Sequence, residues 1–144
     1  MSDELPGLFT RASKLVRAVT DEAMSRHGVR IGQNIMLQVL SETDGLTPGE
    51  IAARIGNTVP TIVNTATRME TAGLLVRRRD PDDARLVRLY LTDRAREVYP
   101  AVQAERRNIE RRMTAMLTDE EQRHLHSALQ KIIMALTPAA ARKP

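Results

Sequence analysis

Residues 58–92 constrain the fold more than any other part of the chain. Thr58 can cap a helix, Ile62, Ala66 and Met69 recur at spacings of four and three, and Gly73 stands where that helix should close. The period then changes. Leu74-Leu75-Val76-Arg77-Arg78-Arg79 and Leu86-Val87-Arg88-Leu89-Tyr90-Leu91 read as two short strands, the second with Val87, Leu89 and Leu91 on one side. Between them Asp80-Pro81-Asp82-Asp83-Ala84-Arg85 has the Asp and Pro content of a tight turn. A lone hairpin is marginal in water, so these strands must lie against the helices that precede them.

Those helices are marked as clearly. Leu5, Leu8, Phe9, Ala12, Leu15, Val16, Val19 and Ala23 predict one helical face over 5–24, ended by Gly28. A second helix is expected over 32–42, with Ile35, Met36, Val39 and Leu40 as its core and Gly45 as its break. Thr47-Pro48-Gly49-Glu50 has the residues of a capping box with Pro at the first helical position, opening a short helix through Ile51, Ala52 and Ile55 to Gly56-Asn57. After the hairpin, Thr92 or Asp93 opens a helix to about Leu117. Thr118-Asp119-Glu120-Glu121 starts the last one, striped by Leu125, Leu129, Ile132, Ile133 and Leu136, and residues 138–144 read as a frayed tail. The fold class is mainly α with a small β-hairpin wing (α+β). A winged helix-turn-helix over 32–92 is flanked by N- and C-terminal dimerisation helices, 5–28 and 93–137, in a single chain of 1–144.

Composition narrows the function. The 144 residues are 42% apolar, enough for a packed core, and there is no Cys. Disulfide frameworks, Cys-based zinc sites and thiol oxidation are therefore out, and His27, His124 and His126 are too scattered for a metal cluster. No metal and no cofactor is expected. No carboxylate pair, nucleophile constellation or phosphate-cradling Gly loop appears, so an enzyme is not expected. Phe9, Tyr90 and Tyr99 are the only aromatics, too few for a platform that stacks single-stranded bases. No stretch approaches the roughly 20 apolar residues of a membrane span, and the N-terminus carries no secretory pattern, so a cytoplasmic protein is expected. The net charge of +4 is modest, but of 22 Lys+Arg only Lys14, Lys131 and Lys143 are Lys, and five of the Arg lie between residues 77 and 88.

The second helix of a winged helix-turn-helix lies in the major groove of DNA. On the wheel for 59–71, Ile62, Ala66 and Met69 point inward while Pro60, Val63, Asn64 and Thr67 fall opposite, flanked by Thr61 and Arg68. Asn64 can pair with an adenine edge, Val63 or Thr67 can meet thymine methyls, and Arg68 can reach a guanine or a phosphate. In the wing, Arg77, Arg79 and Arg85 are candidates for backbone or minor-groove contact. Asp83, two residues before Arg85, can hold that guanidinium by a bidentate pair, while Asp80 and Asp82 shape the turn. A solvated helix face beside an ordinary surface hairpin is the plain alternative.

These segments resemble the MarR family of transcriptional regulators over about residues 5–136. The likeness is carried by Gly28-Val29-Arg30-Ile31-Gly32-Gln33, Leu46-Thr47-Pro48-Gly49-Glu50-Ile51-Ala52, Met69-Glu70-Thr71-Ala72-Gly73-Leu74-Leu75 and Leu89-Tyr90-Leu91-Thr92. Most specific is Arg79-Asp80-Pro81-Asp82-Asp83-Ala84-Arg85. The resemblance implies a homodimer with intertwined terminal helices and two winged lobes on a palindromic double-stranded operator, with the wing's Asp and Arg at Asp83 and Arg85. It also implies release by a small, often phenolic or acidic aromatic, ligand between the dimer helices and the winged lobe; Arg17, Met24, His27, Ile31 and Met36 would form that wall. The chain departs from the pattern at Ala84, where a further Arg is frequent, at Ala95 in place of Gly, at Arg30 and Gly32 in place of a capping Thr and a Pro, and at Thr65 in place of an apolar residue. The expected function is that of a ligand-responsive repressor. A nonspecific architectural DNA-binding protein and a protein-interaction module on the same fold are the alternatives.

Overall fold

A computed structural model describes residues 4–139. In chain order they form α1 (Leu5–Ser25), α2 (Gln33–Glu42), α3 (Pro48–Ile55), α4 (Val59–Thr71), β1 (Leu75–Arg79), β2 (Val87–Leu91), α5 (Asp93–Thr114) and α6 (Asp119–Leu136). This is the mainly helical architecture with one hairpin that the sequence predicts. The tail expected at 138–144 lies, beyond residue 139, outside the described residues.

Local chemistry sets the boundaries. At the start of α3, Thr47 Oγ1 accepts from the Glu50 N–H at 3.2 Å while Glu50 Oε2 accepts from the Thr47 N–H at 2.9 Å, a complete capping box. Thr118 and Glu121 build the same box on α6. The Thr58 side chain caps α4, and beyond Gly73 the Leu74 N–H returns to the Met69 carbonyl at 2.9 Å, closing that helix. Thr92 ties the hairpin to α5: its hydroxyl donates to the Gly73 carbonyl at 2.6 Å and accepts from the Ala95 N–H at 3.2 Å.

The chain divides into two compact units, residues 1–109 and 110–144, with the boundary inside α5. Ile109 is the last buried residue of that helix. In the first unit the core is one cluster that includes Met24, Val29, Met36, Leu37, Leu40, Ile51, Ile62, Met69, Leu75 and Leu89. It lies under the winged region. Sequence reading misplaced one face of α2: Ile35 is exposed, while Leu37 is fully buried with Met36 and Leu40. Gln33 and Asn34 are buried as well. Their side chains accept from the Arg30 and Gly32 N–H groups, so their burial leaves those oxygens paired.

The antiparallel hairpin pairs Leu75 with Leu91 and Arg79 with Val87 at its two ends. It is anchored from the side at residues 45–46, where the Gly45 N–H donates to the Leu89 carbonyl and the Leu89 N–H donates to the Leu46 carbonyl. Gly45 has φ of +75°, and a Cβ there would stand 2.8 Å from Tyr90 Cε1, so both conformation and space require glycine.

In the second unit, α6 buries no residue; Ile133 is 65% and Leu136 79% exposed. In the first unit, α1 buries only Ala23 and Met24 and leaves Leu5, Leu8, Phe9 and Leu15 exposed. No helix among the described residues is long and apolar enough to cross a membrane.

Candidate nucleic-acid interface

Ile62, Ala66 and Met69 fix the roll of α4 by packing into the core. Pro60, Thr61, Val63, Asn64, Thr67 and Arg68 are all exposed, as the helical wheel predicts. Asn64 and Arg68 engage no side-chain partner among the described residues, so their hydrogen-bonding groups are free for a ligand.

The wing turn is built on two carboxylates. Asp80 Oδ1 accepts from the Asp82 and Asp83 N–H groups at 2.8 and 3.0 Å, which makes the turn. Its other oxygen takes the Arg88 Nε–H at 2.5 Å, and Arg88 Nη1 also donates to the Gly45 carbonyl at 2.9 Å. Arg88 therefore braces the wing from inside and belongs to the scaffold. The Arg88 hydrogen bond, followed by the two turn N–H groups, holds the Asp80 carboxyl below its ordinary value. Of the two Asp expected to shape the turn, Asp80 does so with its side chain, and Asp82 contributes its backbone N–H.

Asp83 meets Arg85 through two parallel bonds of 3.1 Å, Nε to Oδ1 and Nη2 to Oδ2. The pair, with the added Arg85 N–H bond, lowers the Asp83 pKa and raises that of Arg85. The arrangement aims a guanidinium at the hairpin tip without burying it: the Arg85 side chain is 90% exposed. Such a pair contributes little to stability, and its consequence is positional. Arg79, at the end of β1, is exposed and has no partner among the described residues.

Arg77 sits differently from Arg79 and Arg85. Its Nη2 donates to Thr67 Oγ1 at 2.6 Å and lies 3.4 Å from the Val63 carbonyl, and its Nε lies 3.7 Å from Glu70 Oε2. The side chain is turned onto α4 and struts the recognition helix against the hairpin. Strand alternation explains it: the Arg77 position points to the helix side, whereas Arg78 points away and lies 5.5 Å over the Tyr90 ring. Alternation sets Arg78 apart from Arg77 and Arg79, and position along β1 then separates Arg77, against α4, from Arg79 at the strand end.

The proposed ligand wall does not assemble as expected. Met24 and Met36 are fully buried core residues with no surface to offer, a correction that follows from their apolar neighbours at the base of the winged region. His27 Nε2 lies 3.1 Å from Glu105 Oε1, so the histidine ties the end of α1 to α5. Ile31 is half-buried, its N–H held by Asp21. Arg17 is exposed on α1 with no partner among the described residues. Sequence reading also passed over Val59, which is 46% exposed one turn before Val63; the signal was a helix-opening valine at a spacing of four.

Comparison with known proteins agrees with this geometry. The MarR family model matches residues 27–86, from the end of α1 through the wing turn. The chain is 29% identical over 135 residues to the HTH-type transcriptional repressor Rv2887 of Mycobacterium tuberculosis, covering 92% of this chain and 96% of that one. A probable transcriptional regulator from Pseudomonas aeruginosa superposes with a TM-score of 0.84 at 26% identity, covering 91% of this chain and 98% of the other. The repressor CouR bound to a 23-mer DNA duplex superposes with a TM-score of 0.82 at 27% identity, covering 90% and 92%. CouR from Rhodococcus jostii RHA1 bound to p-coumaroyl-CoA shares the fold at a TM-score of 0.79 and 23% identity, covering 94% and 96%. The capped helix α4, the aspartate-held wing arginine and these matches converge on one conclusion: the chain is similar in sequence and fold to the MarR family of winged helix-turn-helix transcriptional regulators.

Proposed function

We propose that this protein is a homodimeric repressor that binds a palindromic double-stranded operator and leaves it when a small acidic ligand binds. The observation that carries the DNA reading is Arg85, a nearly fully exposed guanidinium whose direction is set by Asp83 at the tip of a braced hairpin. An exposed, aimed guanidinium suits the narrow, electronegative minor groove, while α4 with Asn64 and Arg68 free suits the adjacent major groove. Pro60, Thr61, Val63 and Thr67 complete that face, and Arg79 extends the basic edge.

Dimerisation is supported by the apolar faces of α1 and α6, where Leu15 is 61% exposed alongside Leu5, Phe9, Ile133 and Leu136. Faces of this kind call for a partner surface, and a two-fold partner would present two recognition helices to two half-sites. For the effector, Arg17, His27 and Ile31 keep exposed or partly exposed surface, and Arg17 is free to pair with a carboxylate. The complex of CouR with p-coumaroyl-CoA places an acidic ligand on a protein of this fold. No catalytic role and no cofactor is proposed, and a cytoplasmic location follows from the proposed access to DNA.

The test is a gel-shift titration with duplex recovered from a randomised library. Arg85→Ala is expected to weaken binding while leaving the dimer intact by light scattering; unchanged affinity refutes the wing assignment. The near-neutral outer face of α4 favours one second reading, a nonspecific architectural DNA protein, for which the ratio of selected to random affinity would approach one.

A further inference from the structure

The outer face of α4 looks hydroxyl-rich in sequence, but most of its hydroxyl protons are already donated within the helix. Thr65 donates to the Thr61 carbonyl at 2.9 Å, Thr67 to the Val63 carbonyl at 3.0 Å and Thr71 to the Thr67 carbonyl at 3.1 Å. Thr58 and Thr61 pair their hydroxyls with each other at 2.8 Å. Thr67 is doubly committed, because its oxygen also takes the Arg77 guanidinium. Apart from acceptor lone pairs and one O–H of the Thr58–Thr61 pair, what these side chains offer a ligand is their methyl groups. Beside them, Val59 and Val63 stand four residues apart on the edge of α4 that faces the wing, 46% and 36% exposed. With Leu86 and Val87 of the wing they border one predominantly apolar hollow between α4, the start of α3 and the hairpin.

A helix in the major groove meets four base pairs that differ in hydrogen-bond pattern, and one base, thymine, that also carries a C5 methyl group. A face with few free donors and a valine edge discriminates best by that methyl group. We propose that Val59 and Val63 are specificity-determining residues that read thymine C5 methyl groups, leaving Asn64 and Arg68 as the hydrogen-bonding groups of α4. This rests on the reading of α4 as the major-groove element and specifies how that element chooses sequence.

Deoxyuridine tests it directly, because it keeps the pairing edge and the O4 acceptor of thymine and removes only the methyl group. Full-length protein first selects a duplex from a randomised library at low salt. Each thymine of that duplex is then replaced in turn by deoxyuridine, and affinities are read by fluorescence anisotropy. At one or more positions the replacement is expected to weaken binding about three- to fivefold, the effect of leaving one methyl group unburied. In Val59→Ala or Val63→Ala the penalty at that position should fall below about twofold. If every deoxyuridine duplex binds like its parent although selection succeeds, the methyl reading is overturned and DNA recognition by α4 stands. If a penalty persists unchanged in both valine variants, the methyl group is sensed elsewhere and the assignment is equally refuted. If selection recovers no sequence at all, the operator-binding reading fails and this inference falls with it.

Discussion

Arg77 of β1 and Arg85 of the wing turn should separate by the salt dependence of DNA binding. Affinity for duplex DNA falls with salt because each phosphate neutralised releases counterions, and the log–log slope changes by about 0.9 per contact. Arg85 is 90% exposed and braced only by Asp83, so its charge is available to the DNA. Arg85→Ala should therefore flatten the slope by about 0.9 per wing, or about 1.8 for a dimer with two wings engaged. Between 50 and 200 mM salt that is about 3.5-fold per contact and about 12-fold for two, so the variant's deficit should shrink by that factor as salt rises. Arg77 donates to Thr67 Oγ1 at 2.6 Å and lies 3.7 Å from Glu70, so its charge is engaged within the protein. Arg77→Ala should weaken binding by loosening α4 against the hairpin, by a similar factor at every salt concentration, with a slope equal to wild type. It should also cost about 1 kcal/mol of folding stability as a charged hydrogen bond is lost. Anisotropy titrations at four salt concentrations decide the matter. A flattened slope for Arg77→Ala together with an unchanged slope for Arg85→Ala would refute the division into strut and contact.

Three further outcomes follow from the same geometry. Leu37→Ala should cost about 2–5 kcal/mol by denaturant melts, and Ile35→Ala under about 1 kcal/mol in the folded lobe, because only the former leaves a core cavity; similar costs would mean that the face of α2 is wrongly assigned. Gly45→Ala should lose at least about 1 kcal/mol from its positive φ, with further loss from the approach to Tyr90; a thermal midpoint equal to wild type would contradict that crowding. The Asp83 carboxyl, lowered by Arg85, should stay ionised down through the ordinary value of 3.8. Because its folded pKa is depressed, the pair is complete above 3.8 and lost as pH falls through the lower folded value. Carboxyl carbon shifts of Asp83 that titrate at or above 3.8 would show that the pair does not hold.

Much of this was legible one residue at a time. Capping residues act through their own backbone, so Thr47, Glu50, Thr58 and Thr118 marked their helices in sequence. The inward face of α4 was legible because Ile62, Ala66 and Met69 repeat with the helical period. The Asp83–Arg85 pair was legible because both partners lie within two residues of one turn. What failed depended on distant partners. Ile35 and Leu37 are both apolar, and only packing against the core cluster decides that Leu37 rather than Ile35 is buried. Met24 and Met36 could line a pocket or fill a core, and neighbours far along the chain settled that.

The sequence by itself determined the order of elements, the roll of the recognition helix and the chemistry at the wing tip, because those are set by short-range hydrogen bonding and by periodicity. Only the tertiary structure decided what each Arg of the wing does. Strand register turned Arg77 onto α4, stacked Arg78 on Tyr90 and left Arg79 free, and the approach of residues 44–46 to β2 drew Arg88 inside. A guanidinium is the same group at all five positions, and its role is fixed by which carboxylate, carbonyl, hydroxyl or ring the folded chain brings to it.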